Sequence, residues 1–160
     1  RLLVEEDVLG LQVAVDDADR VARLAVVGVL LWVEEGYRRV GALGGAGFEE
    51  LLHLLEELNR EGHRVAGYAA TSKSTTVTNY CGLTPDLVEF ISDTTPIKQG
   101  KFSPGVHIPI RPHEEFKTNY PDYGLLFGWN HAAEIMAKEE AFRDAGGRWI
   151  VYVPKVQVLT

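Results

Sequence analysis

The stretch Arg64-Val-Ala-Gly-Tyr-Ala-Ala-Thr-Ser-Lys-Ser-Thr-Thr76 decides how this chain is read. An apolar run ends in a small-residue, hydroxyl-rich loop with one lysine, and a helix-compatible segment follows. In α/β proteins that order brings a buried strand to its carboxyl end, where the next helix offers unpaired N–H groups to an anion. Aligned as Gly67-x-x-x-x-Ser72-Lys73-Ser74, the stretch is one residue short of the GxxxxGK[ST] phosphate loop. Ser72 stands where glycine would let the backbone wrap a phosphate closely. A true NTPase loop is therefore disfavoured. A looser loop that touches a diphosphate and an ordinary polar strand-to-helix turn both stay open.

Outward from that loop, strands and helices alternate. Phe48, Leu51, Leu52, Leu55 and Leu58 recur at helical spacing, with Arg60 near the end and Gly62 as a stop. Strands are expected over residues 64–70, 87–91, 106–110, 122–127 and 148–153. Helices are expected from Ser74 to Tyr80, at 112–116, and from Asn130 to Ala145 before Gly146-Gly147. This alternation predicts an α/β fold, a Rossmann-like three-layer sandwich whose mostly parallel sheet has about five strands, preceded by helices. Ligands of such sheets sit at the carboxyl ends of the strands, at the switch in strand order. The loops there are 69–76, 92–105 and 128–131. Residues 1–47 read as a helical leader closed by a Gly-rich linker (Gly41, Gly44, Gly45, Gly47), and 48–160 as the Rossmann-like domain. The linker glycines lack the GxGxxG order of a dinucleotide loop.

The bulk properties narrow the function. A chain of 160 residues with 46% hydrophobic content suits one domain. Its net charge of −7 argues against a nucleic-acid surface, so any cationic contact must be local. The longest apolar run, Leu24 to Val33, is shorter than the ~18 residues that would span a bilayer, so no membrane is implied. Cys81 is the single cysteine, which excludes a disulfide framework and fits a reducing, cytoplasmic compartment. No metal is expected. The only His/Glu cluster, His107, His113, Glu114 and Glu115, is interrupted by Pro109 and Pro112 and cannot form one chelating helix. No G-x-S-x-G elbow is present, so a serine hydrolase is excluded too.

Five motifs occur in order: 67–76, Asn79-Tyr-Cys-Gly82, Asp93-Thr-Thr-Pro-Ile-Lys-Gln-Gly100, Pro104-Gly-Val-His-Ile-Pro109 and Trp129-Asn130. Together they resemble the carboxyl-terminal domain of the SAM-dependent C-methyltransferases that act on nucleotide-linked deoxysugars, the sugar 3-C-methyltransferases among them. The resemblance covers about residues 48–160. It implies a zinc module, a SAM-binding Rossmann domain and then this domain, with the nucleotide-diphosphate sugar between the last two. It implies that a base removes a proton beside the sugar ketone and that the enolate carbon attacks the methyl group of SAM. The acid–base set lies upstream of the matched region, so no catalytic residue is assigned in this chain. S-adenosylmethionine would be bound by the preceding domain of the same polypeptide. The zinc cysteines and an acidic SAM loop are missing here, and residues 12–43 depart from the pattern. The chain alone is expected to bind and not to methylate.

With that resemblance, Lys73 becomes the first candidate for a diphosphate contact, aided by Tyr68, Thr71, Ser72, Ser74 and Thr75. Helix capping accounts equally well for one of the hydroxyls. Asn79 either bonds a ligand or ties its helix to a neighbouring loop. Asp93 ends a strand where an acid can hold a ribose hydroxyl, although capping the following turn is favoured. Lys98 and Gln99 reach towards the substrate or the neighbouring domain. His107 is a site group or a structural histidine, and Trp129 with Asn130 either stacks on a base or sugar or packs in the core. A non-catalytic nucleotide- or partner-binding module is the alternative function. A nicotinamide dehydrogenase is disfavoured because the second and third glycines of its loop are missing.

Overall fold

A computed structural model of the protein describes residues 45–160, with side chains from Gly47 onward. The helical leader and most of the Gly-rich linker expected before them lie outside the described residues. Gly45 and Gly47 are an exception, because both belong to the first helix, α1 (Gly45–Arg60). Along α1 the 3–4 spacing of Phe48, Leu51, Leu55 and Leu58 places all four against the sheet, each 5% exposed or less. Gly62, at φ +81°, turns the chain out of the helix.

The sheet follows. Strands β1 (Val65–Tyr68), β2 (Ile91–Asp93), β3 (Ile110–Pro112), β4 (Tyr123–Leu126), β5 (Arg148–Val151) and β6 (Gln157–Leu159) lie in the order β3-β2-β1-β4-β5-β6. The first five are parallel, and β6 is antiparallel to β5. Helix α2 (Ser72–Tyr80) follows β1, and α3 (His113–Thr118) follows β3. A 3₁₀ turn (Trp129–His131), α4 (Ala132–Lys138) and α5 (Glu140–Asp144) link β4 to β5. The order reverses between β1 and β4, so their carboxyl ends frame the crevice at which ligands of doubly wound sheets bind.

Strand residues alternate between two cores. Val65, Ile91, Tyr123, Leu125 and Ile150 meet α1 and Val77 of α2 on one face. Ala66, Tyr68, Leu126, Trp149 and Val151 meet Phe116 of α3 and Phe142 of α5 on the other. Parallel strands covered on both faces carry apolar residues nearly throughout, which is why β1 and β4 are buried at every position.

The α/β architecture expected from the sequence is present, with four local differences. The second strand ends at Asp93 as expected but begins only at Ile91 and not at Leu87, although its pairing with β1 already starts with Glu89 N–H to Val65 O. The third strand starts only at Ile110, because Gly105 and His107 both take positive φ and fold 103–108 into a turn. The single helix expected over 130–145 is broken at Glu139, where the backbone leaves helical geometry at φ −106°, ψ 38° and the carboxylate turns inward. The sixth strand, β6, was not expected; it forms when the chain doubles back after Pro154 and Lys155.

Candidate functional site

The loop that opens the sequence reading lies at the carboxyl end of β1. Ala69 leaves the strand in the left-handed region, at φ 71°, which costs an L-residue about 1–2 kcal/mol. Thr71 then caps α2, its Oγ1 accepting from Ser74 N–H at 3.3 Å. Gly67 is not part of the loop. It lies inside β1, and a Cβ there would stand 2.6 Å from the Phe127 ring, so its small size serves strand packing.

Helix α2 is rich in threonine and serine, which are weak helix formers. Much of its buried side is made of hydroxyls that return to their own backbone. Ser74 Oγ donates to Thr71 O at 2.6 Å, Thr76 Oγ1 to Ser72 O at 3.1 Å and Thr78 Oγ1 to Thr75 O at 3.3 Å. That divides the candidate residues. Thr71 and Ser74 are committed within the loop, whereas the side-chain hydroxyls of Ser72 and Thr75 have no hydrogen-bond partner among the described residues.

Ser72 and Thr75 line an open cavity of about 470 Å³, shared with Ala70, Thr71, Ser74, Lys98, Lys101, Phe102 and Pro104. No carboxylate of the described residues lines it directly, but Lys98 is paired with Asp93, so Lys101 is the lysine of this cavity without a carboxylate partner among the described residues.

Lys73 points elsewhere. Its Nζ lies 3.2 Å from Asn130 Oδ1 and 5.7 Å from the centre of the Trp129 ring, so the loops after β1 and β4 meet across the switch point. Trp129 is half-buried against the core and Asn130 is exposed.

Asp93 forms the hub of the next loop. One carboxylate oxygen accepts Thr95 N–H at 2.8 Å; the other accepts Ala70 N–H at 2.8 Å and Lys98 Nζ at 3.2 Å. Burial pushes this carboxyl up, but the Thr95 and Lys98 contacts outweigh it and hold it below the usual aspartate value. Lys98 Nζ also donates to Ala70 O at 2.7 Å, and Gln99 Nε2 donates to Asp93 O at 3.0 Å. Asp93 and Lys98 clamp the loop after β2 onto the loop after β1, and Gln99 closes the loop after β2 on itself. Asn79 does the same from α2, donating to Thr75 O at 2.7 Å and Pro104 O at 2.9 Å. Its amide sits where a Cβ on Gly105 would fall, and Gly105 takes φ +85°. His107 is exposed on that turn at φ 57° rather than in a strand.

Tyr68 faces the opposite side of the sheet and belongs to a cluster that sequence reasoning missed. Its hydroxyl donates to Glu139 Oε1 at 2.9 Å. His113 Nε2 lies 2.9 Å from the same oxygen, in a direction that makes no well-aligned hydrogen bond. His113 Nδ1 lies 3.1 Å from Ser92 Oγ. All four residues are buried, Ser92 and Glu139 to 1% exposure. Burial, then the bond to Glu139, raises the Tyr68 phenol well above its ordinary value. No local signal could have linked Tyr68, Ser92, His113 and Glu139, because only the sheet order brings them together. Among the described residues, no group of three or more His, Cys, Asp or Glu side chains is placed to hold a metal ion. No described helix is long and apolar enough to cross a membrane.

A mostly parallel sheet whose strand order reverses between β1 and β4, with helices on both faces, defines a Rossmann-like α/β domain. The model of the C-methyltransferase C-terminal domain matches residues 38–154, and the chain belongs to that family. It is 40% identical over 111 residues to C-methyltransferase NovU of Streptomyces niveus. The match takes in 69% of this chain, and the chain spans about a quarter of the relative, 26% of its length.

Proposed function

We propose that this domain binds the nucleotide-diphosphate sugar of a SAM-dependent C-methyltransferase that methylates a keto-deoxysugar carbon through an enolate. The observation that carries the proposal is the cavity between the loops after β1 and β2, lined by Lys98, Lys101 and the hydroxyl residues Ser72 and Thr75, in an otherwise acidic member of this family. Ser72 and Thr75 present there hydroxyls with no hydrogen-bond partner among the described residues, at the first turn of a nine-residue helix whose dipole favours an anion. Lys73 faces Trp129 and Asn130 at the junction with the β4 loop, outside this cavity, where it would meet a ligand that extends towards the switch point.

The described residues do not fit SAM itself. The end of β1 carries Ala69 and Ala70 in place of glycines, and Asp93 has both oxygens engaged by Ala70, Thr95 and Lys98. SAM, the methyl donor, is therefore assigned to a preceding domain, and the 160-residue chain is expected to bind substrate without transferring a methyl group.

A titration followed by backbone amide shifts tests the proposal. A nucleoside-diphosphate deoxysugar should shift the amides of residues 71–76 and 129–130. Lys73→Ala should weaken binding roughly five- to a hundredfold, since a charge-assisted contact is worth ~1–3 kcal/mol. Added salt should weaken it further. Identical titrations of wild type and Lys73→Ala, or shifts confined to other regions, would overturn this assignment of the site.

A further inference from the structure

The two edges of the sheet are finished differently. At β3 the outer edge is covered by the chain's own loop: Gly100 N–H donates to Ile110 O at 2.9 Å, and Ile110 N–H to Lys101 O at 2.7 Å. Phe102 bridges Pro109 beside them, and Pro112 has no N–H to offer. At the opposite edge β6 pairs with β5, and no strand of the described residues lies beyond it. Gln157, Val158 and Leu159 carry neither charge nor proline, two of the usual devices that keep an edge strand from pairing further. Alternate residues of such a strand turn N–H and C=O groups outward, where another strand can bond them.

Between this edge and α1 runs an open groove of about 610 Å³. Its apolar part is Leu54, Val156 and Val158, the last 40% exposed, and its acidic part is Glu49, Glu50 and Glu57. None of the three glutamate side chains has a hydrogen-bond or ion-pair partner among the described residues, and no lysine or arginine of these residues lines the groove. His53, which also lines it, lies 3.6 Å from Glu56. The groove shares no residue with the cavity between the loops after β1 and β2.

We propose that this edge docks an extended, basic segment of a partner protein, which adds to the sheet as a strand outside β6. Every second side chain of an added strand falls on the α1 face. Lysine or arginine there lays its apolar stem along Leu54 and Val158 and carries its charge to the glutamates. Charge also decides against a second copy of this chain. Two copies paired antiparallel through β6 would set the glutamates of both α1 helices on one face, opposite each other, in chains of net charge −7.

The test titrates the 160-residue chain with a short acetylated peptide of alternating threonine and lysine and follows backbone amide shifts. The amides of residues 156–159 and 49–57 should respond, and added salt should weaken the response. Replacing the peptide's lysines with glutamate should abolish it. N-methylation of two neighbouring central amides keeps the charges but removes an N–H from whichever alternate set faces β6, and should abolish it too. Glu50→Gln combined with Glu57→Gln should lower affinity roughly two- to thirtyfold, since an exposed ion pair corresponds to about 1.5- to fivefold. Both side chains are exposed, so the fold should survive, which circular dichroism checks. Unmoved amides at 156–159 overturn the proposal, as does unchanged affinity of the double variant. Equal binding of the N-methylated peptide overturns strand addition and leaves a contact of charge alone. Self-association of the wild type that the lysine peptide displaces would make the occupant a second copy, and the proposal falls.

Discussion

On the α1–α2 side of the sheet the core is mainly aliphatic, built on Leu51, Leu55, Val77, Ile91, Leu125 and Ile150 with a few rings at its margin. On the α3–α5 side it is aromatic. Phe142 and Trp149 have ring centres 4.8 Å apart, Tyr68 and Trp149 5.3 Å, and Tyr68 and Phe116 5.5 Å. Polar groups are treated differently on the two sides. The aliphatic side sends its hydroxyls and lysines out to an open cavity at the carboxyl edge. The aromatic side draws Tyr68, Ser92, His113 and Glu139 inward and pairs them with each other. A buried polar group is tolerated only when partnered, and a ligand can use only groups left without internal partners. The binding edge is therefore expected on the first side, and a stability-determining network on the second.

The largest effect should come from removing the hub of that network. Glu139→Ala leaves the buried Tyr68 hydroxyl without its acceptor, which costs about 1–3 kcal/mol, and adds the cost of the cavity left beside the His113 ring. Urea denaturation would measure it, with Glu139→Gln losing less because an acceptor for Tyr68 survives. A cost under about 1 kcal/mol would mean that the aromatic packing, and not the polar network, holds this side.

On the cavity side the corresponding hub is Asp93. Asp93→Asn should cost about 1–3 kcal/mol by weakening its caps and its Lys98 contact. Its depressed carboxyl value has a pH signature. The stability it contributes is fully present above the ordinary aspartate value of 3.8 and is lost as pH falls through the lower folded-state value. The variant's acid limb should accordingly be flatter than that of the wild type in a pH series of denaturation midpoints. Equal acid limbs would show that Asp93 carries no net charge stabilisation.

The smallest effect is a gain. Ala69, between the two regions, holds φ 71° without being glycine. Ala69→Gly should remove that strain and raise stability by about 1 kcal/mol or less, the relief being partly offset by the freer unfolded chain. A lowered thermal midpoint would show that the alanine methyl, packed against the aromatic core, contributes more than the strain costs.

Much of the fold was legible in the residues themselves. The 3–4 spacing of Phe48, Leu51, Leu55 and Leu58 specified α1, and the all-apolar strands specified a parallel sheet. The edges were less legible. The third strand was placed four residues early because its apolar run, Val106 to Ile110, starts inside a turn set by Gly105 and His107. The helix after Trp129 looked continuous because nothing in the local pattern shows that Glu139 is pulled into the core. Of the polar residues singled out along the chain, Ser72, Thr75 and Lys98 line the cavity between the loops after β1 and β2, whereas Lys73 turns to Asn130.

The sequence by itself determined the order of strands and helices, the family and the loops at which a ligand could enter. Those properties follow from local periodicity and from motifs short enough to read along the chain. Tertiary structure alone decided which polar side chains stay free. Lys98, Asn79 and Asp93 look like ligand groups in sequence, yet each bonds a neighbouring loop. Ser72, Thr75 and Lys101 look no different in sequence, and their side chains have no polar partner among the described residues. A hydrogen bond between loops 20 or 30 residues apart depends on how the sheet stacks its carboxyl ends, which no window of sequence contains.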